Sequence, residues 1–406
     1  MNPRIRIAGV AALLLLLLVG FALMPHGVSA AACTTTVPAA GDIQAAITAA
    51  APGDVICLSA GTYTPAATIV INKTLTLQGP QFGVDPRPSE GSARVPGGPA
   101  EAVISGGGTL STILQIAASN VVLDGFEVVN GTGDMIASLA GSNVAGVALR
   151  NLIVHNATGD EGMQIRDCDN CVIEYNYVYD TFGDGINLCC GSTGGLIQFN
   201  ELIGIDSENA ALYVYEATET TIQCNLIDTT SINEGIKLGA KGGTDAALSG
   251  GSILYNTIRN TAQDGIAIYM SATDVMGNDV SASASENGAI YVAQGVNNIA
   301  ITYNAIHNNT FQTFKWGDPG AVMIGSGGAQ SAATITVNNN NITTNSPNGA
   351  TNKATGTLNA ENNWWGDASG PSGQGPGSGD AVSTNVDFDP WLTQPAEIPA
   401  GPCVAG

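Results

Sequence analysis

The stretch CVIEYNYVYDTFGDGINLCCGSTGGLIQFNELIGI, residues 171–205, contains the same short pattern twice, 24 residues apart. In each copy an isoleucine (Ile173, Ile197) stands three places before an asparagine (Asn176, Asn200), and an aliphatic residue stands two places after it. A repeat of this length predicts a solenoid, in which each repeat buries its apolar face against its neighbours.

The pattern continues through most of the chain. The asparagines that have an aliphatic residue two places later are Asn151, Asn176, Asn200, Asn225, Asn256, Asn278, Asn304 and Asn340. Their spacings are 25, 24, 25, 31, 22, 26 and 36 residues, and the two longest gaps predict insertions in loops. Apolar residues alternate around each asparagine and again in runs such as Gly185-Ile-Asn-Leu, which is typical of short strands. The sequence therefore predicts an all-β parallel β-helix from about residue 55 to 366.

The chain divides into three predicted segments. Residues 1–30 have arginines before an apolar run and end in Val28-Ser-Ala, which predicts a signal peptide and a secreted protein. Residues 31–366 hold the β-helix with an N-terminal cap, and residues 367–406 form a Gly/Pro-rich C-terminal capping tail. No second apolar segment predicts a membrane span in the mature protein.

Both ends of the predicted solenoid need covers, because an open end exposes strand edges and core. The pattern in residues 42–50 predicts a capping helix, stopped by Pro52-Gly53. At the other end, the paired tryptophans Trp364 and Trp365 predict a cap that closes the core. A sugar-stacking role for these tryptophans is the less favoured interpretation.

The chain is strongly acidic, with a formal net charge of −22 that becomes −24 once the arginines of the leader, Arg4 and Arg6, are removed. This charge argues against nucleic acid as a partner. Eight cysteines in an exported chain indicate disulfides. We expect Cys33 to pair with Cys57, and Cys168 with Cys190 on adjacent coils, whereas Cys224 is expected to be a buried thiol.

Several motifs resemble a known group of proteins. They are Gly41-Asp-Ile-Gln, Gly53-Asp-Val-Ile, Gly61-Thr-Tyr, Asn363-Trp-Trp-Gly and Pro390-Trp-Leu, together with the asparagine repeats. In these the chain resembles secreted bacterial right-handed parallel β-helix proteins of the pectate-lyase-like superfamily. The resemblance implies a single-stranded right-handed parallel β-helix and a polysaccharide or cell-surface glycan as partner. The Gly-His-Gly of polygalacturonases is absent.

The second strand of each repeat supplies the candidate site, because its alternate side chains point outward. The expected outward columns are Gln164, Asn187, Tyr213, Lys237 and Ala267, and Arg166, Cys189, Tyr215, Gly239 and Tyr269, with Tyr291 further along. Lys241 and Trp316 are expected beside them, in loops. Aromatic faces with interspersed polar groups suit sugar rings, so these residues predict a groove. Lys237, or alternatively Arg166, is the candidate base in a lyase reaction.

Acidic residues stand before the first residue of these strands, namely Glu161, Asp184, Glu234 and Asp264. On adjacent coils they stack like charges about 4.8 Å apart, and calcium would relieve that repulsion. The alternative, which we favour, is that Asp-Gly and Glu-Gly pairs are turn chemistry.

Three interpretations of function remain open at this point. The first is a glycan-binding or glycan-cleaving β-helix, and the second is a non-catalytic extracellular structural or adhesion β-helix. The third, a metal-maturation protein, rests on the cysteine cluster alone.

Overall fold

A computed structural model describes residues 32–403, apart from positions 208, 232 and 286 and the ranges 241–244, 312–317 and 326–330. The predicted signal peptide, residues 1–30, lies outside the described residues. The described chain is a parallel β-solenoid of about 13 turns, which confirms the predicted fold class. Within these residues, no helix combines the length and the hydropathy that a membrane span requires.

Three long parallel sheets run along the solenoid. Sheet A consists of Thr35–Val37, Val55–Leu58, Thr76–Gln78, Val122–Asp124, Ala148–Arg150, Val172–Glu174, Leu196–Gln198, Thr221–Gln223, Ser249–Leu254, Ser271–Met276, Ile299–Thr302, Ile335–Asn338, Leu358–Asn359 and Val386–Asp387. Sheet B consists of Gly61–Tyr63, Ala102–Ser105, Glu127–Gly131, Ile153–Ala157, Tyr177–Thr181, Glu201–Ile205, Leu226–Thr230, Thr257–Arg259, Asp279–Ser281, Ala305–His307 and Asn341–Thr343. Sheet C consists of Ile69–Ile71, Leu114–Ile116, Ile136–Ser138, Met163–Arg166, Ile186–Cys189, Ala210–Tyr215, Glu234–Leu238, Ile266–Ile268, Ile290–Val292, Val322–Ile324, Ala350–Asn352, Gly379–Val382 and Pro371–Gly373.

The remaining elements are short. Val144–Ala145 pairs with Cys168–Asp169, Ile43–Ala49 is an α-helix, and Pro88–Glu90, Asp245–Ala247 and Ala332–Thr334 are 3-10 helices. Each full coil passes through sheets A, B and C in turn, so residues of the same phase lie beside one another on adjacent coils. The inward positions are aliphatic and buried, as Ile173, Ile197, Ile222 and Ile253 are in sheet A.

Asparagine side chains lie in a row at the bend between sheets A and B. Each amide nitrogen donates to the carbonyl oxygen of the next asparagine; the bond from Asn200 to Asn225 measures 2.9 Å. The row consists of Asn176, Asn200, Asn225, Asn256, Asn278, Asn304, Asn340 and Asn363. Each amide also serves the backbone, since Asn200 donates to the Ile173 carbonyl and accepts from the Asn176 N–H. Every member is buried.

The first asparagine of the predicted series is not a member of this row. Leu152 occupies its place, because Arg150 pairs with Glu174 and Ile153 with Tyr177, which sets Leu152 beside Asn176. Asn151 instead takes the preceding position, with φ of 50°, and its amide donates to Asp124. Ile153 stands two places after Asn151 by coincidence, because Asn151 is not the residue of the row position. At the other end, the row extends to Asn363.

The solenoid extends beyond the predicted end at residue 366. Strands Gly379–Val382 and Val386–Asp387 pair with sheets C and A, inside the segment expected to be a capping tail. Trp365 is completely buried near this end. At the N-terminal end, helix Ile43–Ala49 buries Ile43 and Ile47, with Asp42 as its N-cap. The capping roles of both segments stay predictions.

The cysteine pairing departs from expectation at two places. Cys33 and Cys57 are joined as expected, but Cys168 pairs with Cys171 and Cys189 with Cys190. Arg166 pairs with Cys189, which sets Cys190 beside Asp167 and not beside Cys168. Cys224 is no buried thiol, because it forms a disulfide with Cys403. Among the described residues no cysteine is free, so the cysteine cluster offers no ligands for metal maturation.

We expect Asn225→Leu to lower the free energy of unfolding. The substitution removes the acceptor of the Asn200 N–H and amide and the donor to the Ile197 carbonyl. Each buried group left without a partner costs about 1–3 kcal/mol, so the melting temperature should fall by several degrees. The matched control is Gln223→Leu, two residues away and half-buried. Equal melting temperatures for the two variants would contradict a stabilising role for the row.

Candidate functional site

The outward side chains of sheet C form one continuous column. Strand register places Gln164 beside Asn187, then Tyr213, Lys237, Ala267 and Tyr291 on successive coils. A second column follows two residues later, where Arg166 pairs with Cys189 and Cys189 with Tyr215. The structure thus brings Lys237 together with Tyr213, Tyr269 and Tyr291. Lys241 and Trp316 lie outside the described residues.

Lys237 is the centre of the first column. Its Nζ lies 5.2 Å from the Tyr213 ring centroid and 5.8 Å from that of Tyr269. The same nitrogen lies 3.7 Å from Glu234 Oε1, and only 8% of the lysine side chain is exposed. Two aromatic faces and one carboxylate therefore hold an ammonium group at this point.

The tyrosines around Lys237 extend this aromatic column, in which Tyr213 and Tyr291 are buried and Tyr215 and Tyr269 are half-buried. Tyr213 stacks on Tyr215 with ring centroids 4.7 Å apart, and Tyr269 meets Tyr291 edge to face at 6.0 Å. Burial raises the pKa of Tyr213, helped by the negative charge of Asp184. Burial also raises the pKa of Tyr269, helped by Asp264. Both phenols are therefore kept protonated and can donate hydrogen bonds.

Arg166 lies at a different place along sheet C. Its Nη2 is 3.4 Å from Asp134 Oδ2, and 30% of its side chain is exposed. Three strand steps separate the strand of Arg166 from that of Lys237, which is roughly 14 Å. The two cations are therefore too far apart to act on one reacting carbon.

Three carboxylates meet beside Arg166. Within the described part of the chain, Asp134, Asp160 and Glu161 each offer an oxygen within 4.8 Å of the other two. Burial, together with hydrogen bonding and repulsion from Asp160 and Asp134, raises the pKa of Glu161 to about 11. The Glu161 carboxyl avoids repulsion from Asp134 and Asp160 only when it carries a proton or when a bound cation neutralises those two carboxylates.

Orphaned oxygens at this cluster test whether a cation would fit. Asp134 Oδ1, Glu161 Oε2 and Gln164 Oε1 are buried and accept no hydrogen bond from protein. Gln164 lies at the cluster, because its amide nitrogen is 3.4 Å from Glu161 Oε1. Carboxylate and amide oxygens are the ligands that calcium prefers, so this donor set fits a calcium ion.

The four acidic residues singled out from the sequence have different surroundings. Asp184 accepts hydrogen bonds from the hydroxyl of Ser207, the amide of Asn187 and the Ala210 N–H. In the same manner Asp264 accepts from Ser285, Asn287 and the Gly288 N–H. These two aspartates therefore fasten the turn of the next coil. Glu161 joins Asp134 and Asp160, and Glu234 joins Lys237.

Sequence reasoning missed Asp134 and Asp160. Asp134 has the same phase as Glu161, since Ile136 pairs with Met163, but methionine follows it where the sequence pattern has glycine. A search for acidic residues two places before the strand, without regard to glycine, would have found Asp134. Asp160 has no such signal, because it lies in the turn one residue further back.

Solved structures of similar fold include the A-modules of two mannuronan C-5 epimerases from Azotobacter vinelandii. The AlgE6 module matches with a TM-score of 0.55 and 15% sequence identity, over 86% of this chain and 94% of the module. The AlgE4 module matches with a TM-score of 0.54 and 18% identity, over 90% and 95%. The Agl-KA catalytic domain matches with a TM-score of 0.50 and 14% identity, over 79% of this chain and 63% of that domain.

These similarities confirm the resemblance to right-handed parallel β-helix proteins at the level of the fold. Identities this low leave activity open. No model of a known protein family matches the chain, and no curated sequence matches it.

We expect Asp264 to make stability depend on pH. Burial and the charge of Glu234 raise its pKa to about 7 from an ordinary 3.8. Between these values the folded chain binds more protons than the unfolded chain, so stability falls as pH rises from about 4 to about 7. The slope is at most about 1.4 kcal/mol per pH unit.

The measurement is the free energy of unfolding at several pH values between 4 and 8. Asp264→Asn mimics the protonated acid, so the free energy of unfolding of this variant should fall less than that of the wild type as pH rises. The control Asp274→Asn changes an exposed acid and should follow the wild type. Parallel curves for all three proteins would refute the assignment.

Proposed function

We propose that this protein binds an acidic polysaccharide along the outward face of sheet C and abstracts a proton from one of its sugars. The observation that carries the proposal is the Lys237 ammonium between two tyrosine rings. Arg166 and the carboxylate cluster lie further along the same sheet. Rings offer faces for the C–H side of a sugar, while the two cations suit uronate carboxylates. The mannuronan named for the two epimerase modules is a uronate polymer, which makes such polymers concrete candidates.

The acidity of the chain has to be reconciled with an acidic ligand. A net charge of −22 repels a polyuronate. We propose that calcium, held by Asp134, Asp160, Glu161 and the carbonyl of Gln164, provides the bridge. A calcium ion bound there would supply positive charge for a uronate carboxylate near Arg166 and so would hold the polymer, at a different sugar from the one that meets Lys237. The four disulfides favour a protein that works outside the cytoplasm.

Two roles are compatible with the position of Lys237. As a base it must give up its proton to act, and its nitrogen lies 3.7 Å from the Glu234 carboxylate. As an ammonium group it neutralises a uronate carboxylate. We retain Lys237 as the proposed base, with Arg166 as the residue that holds a sugar nearer the proposed calcium. Tyr213, Tyr215, Tyr269 and Tyr291 form the proposed sugar-binding surface.

A second candidate function is a non-catalytic extracellular structural or adhesion β-helix. The observation in its favour is that Lys237 is nearly buried and already paired with Glu234 and two rings. Under this interpretation the column stabilises sheet C and meets no ligand. The experiments below separate the two candidates.

We expect the protein to bind one calcium ion per chain at Asp160. Titration calorimetry with calcium chloride should give a stoichiometry near one, and calcium should raise the melting temperature. Asp160→Asn should weaken binding by about tenfold or more, because a charged ligand is lost. Asp169→Asn is the control, since Asp169 is also exposed and lies outside the cluster. Absence of any calcium effect would exclude the bridge.

We expect solvent deuterium to enter the sugar beside the uronate carboxylate when the protein acts on a polyuronate. Deuterium entry reports abstraction followed by reprotonation, as in epimerisation, whereas elimination leaves no hydrogen on that carbon and is reported by unsaturated product. A panel of polyuronates, with and without calcium, should identify the substrate by NMR and by absorbance of unsaturated uronate.

The role of Lys237 follows from two substitutions. Lys237→Ala should abolish exchange, and Lys237→Arg should keep polymer binding but lose exchange, because arginine remains protonated in proteins. Tyr269→Ala should mainly weaken binding. Full exchange in Lys237→Arg would show that charge suffices and would remove Lys237 as base. Neither retention nor exchange with any polymer would leave the structural candidate standing.

A further inference from the structure

A cavity of about 560 Å³ lies on another flank of the molecule, at the bend between sheets A and B. Its floor includes Tyr175, Phe199 and the outward side chain of Thr257. Residues of the segment that follows Gly79, including Arg87, form one wall, and Cys403 closes another. Sheet C, which carries the proposed polysaccharide groove, contributes none of the lining residues.

Aromatic rings line this cavity because of the bend itself. The residue before each asparagine of the row has φ between 52° and 55° at Tyr175, Phe199, Cys224 and Tyr255, so its side chain leaves the solenoid. Tyr175 and Phe199 stack with centroids 4.9 Å apart and planes within 5°. The next member of this column is Cys224, which carries no ring. Phe199 and Tyr255 are therefore two coils apart, or about 10 Å.

The basic groups of the cavity are already paired with acids, and Glu90, 3.9 Å from Arg87, lines the cavity as well. The Arg87 guanidinium lies 5.3 Å from the Tyr175 ring centroid and 5.9 Å from that of Phe199, and it pairs with Asp85 at 2.7 Å. Arg259 pairs with Asp228 at 2.8 Å. The rim therefore offers hydrogen-bond donors and acceptors without excess positive charge, which disfavours an anionic ligand and suits hydroxyl groups.

We infer that this cavity is a second glycan-binding site, and that it takes one to three rings of a neutral oligosaccharide. The volume falls within the range of about 300–1,000 Å³ that ligand sites occupy. The half-buried ring of Phe199 would meet the apolar side of a sugar ring, and Asp85 and Arg87 would meet its hydroxyls. The choice of a glycan as occupant rests on the function proposed above. Position and charge make this site independent of the groove on sheet C.

The test uses the full chain with cellohexaose, laminarihexaose and mannohexaose as probes, followed by titration calorimetry and saturation-transfer NMR. We expect at least one hexaose to bind the wild type. Thr257→Trp fills the cavity from a half-buried position and should abolish that binding. Phe199→Ala removes the stacking face and should weaken binding about tenfold.

Two matched controls distinguish loss of the cavity from other causes of weaker hexaose binding. Tyr303 occupies the position before Asn304 with φ of 58° but does not line the cavity, so Tyr303→Ala should bind like the wild type. Tyr213→Ala alters sheet C and should also keep hexaose binding. Melting temperatures of Thr257→Trp and Phe199→Ala establish that both variants fold.

The inference is overturned if no hexaose binds the wild type, or if Thr257→Trp binds as the wild type does. It is also overturned if Tyr213→Ala removes the binding, since the hexaose would then occupy sheet C. Failure here leaves calcium-dependent polyuronate binding untouched, because that experiment depends on Asp160 and Lys237. Conversely, hexaose binding that Thr257→Trp removes and Tyr213→Ala keeps would support this site even if polyuronate binding were not observed.

Discussion

The hydrogen bonds of the asparagine row stabilise the bend between sheets A and B on the coils from Asn176 to Asn363. At this bend the residue before each asparagine has a positive φ, even where it is Tyr175, Phe199 or Tyr255. Bulky side chains adopt that conformation at a cost. The bend also takes backbone groups out of the sheets, and a buried group without a partner is costly. Each asparagine amide supplies both a donor and an acceptor to these groups, one coil apart.

Stacking at the period of the coils sets the chemistry of sheet C as well. Residues at the same position on adjacent coils lie about 4.8 Å apart. A charge that recurs at one position is therefore repelled by the like charge on the next coil. Three of the four acidic residues before the strands reduce this repulsion, in two ways. Asp184 and Asp264 accept hydrogen bonds from the next turn, and Glu234 pairs with Lys237. Glu161 has neither, and its raised pKa together with its orphaned oxygen singles out the place for a cation.

The sequence allowed reliable prediction wherever the repeat itself carries the information. The outward column from Gln164 to Tyr291 follows from alternation along the strands, and the strand register has the same order. Prediction failed at single-residue shifts, as at Asn151, where spacing alone cannot distinguish a row member from the residue before it. It failed again for Cys168 and Cys224, because their partners depend on turns and on a tail that have no period. The carboxylate cluster escaped for the same reason, since Asp160 belongs to a turn.

Segments outside the repeats connect distant coils, and a simple solenoid has no such contacts. The hydroxyl and N–H of Ser89 bond Glu201, 112 residues away, and Gly97 bonds Glu127. From the other end of the chain, Cys403 is joined to Cys224 across 179 residues. Nearest-neighbour stacking alone would let coils open one by one, whereas these two crossings tie several coils to one another. They also form walls of the cavity at the bend, where the aromatic rings of Tyr175 and Phe199 meet Arg87.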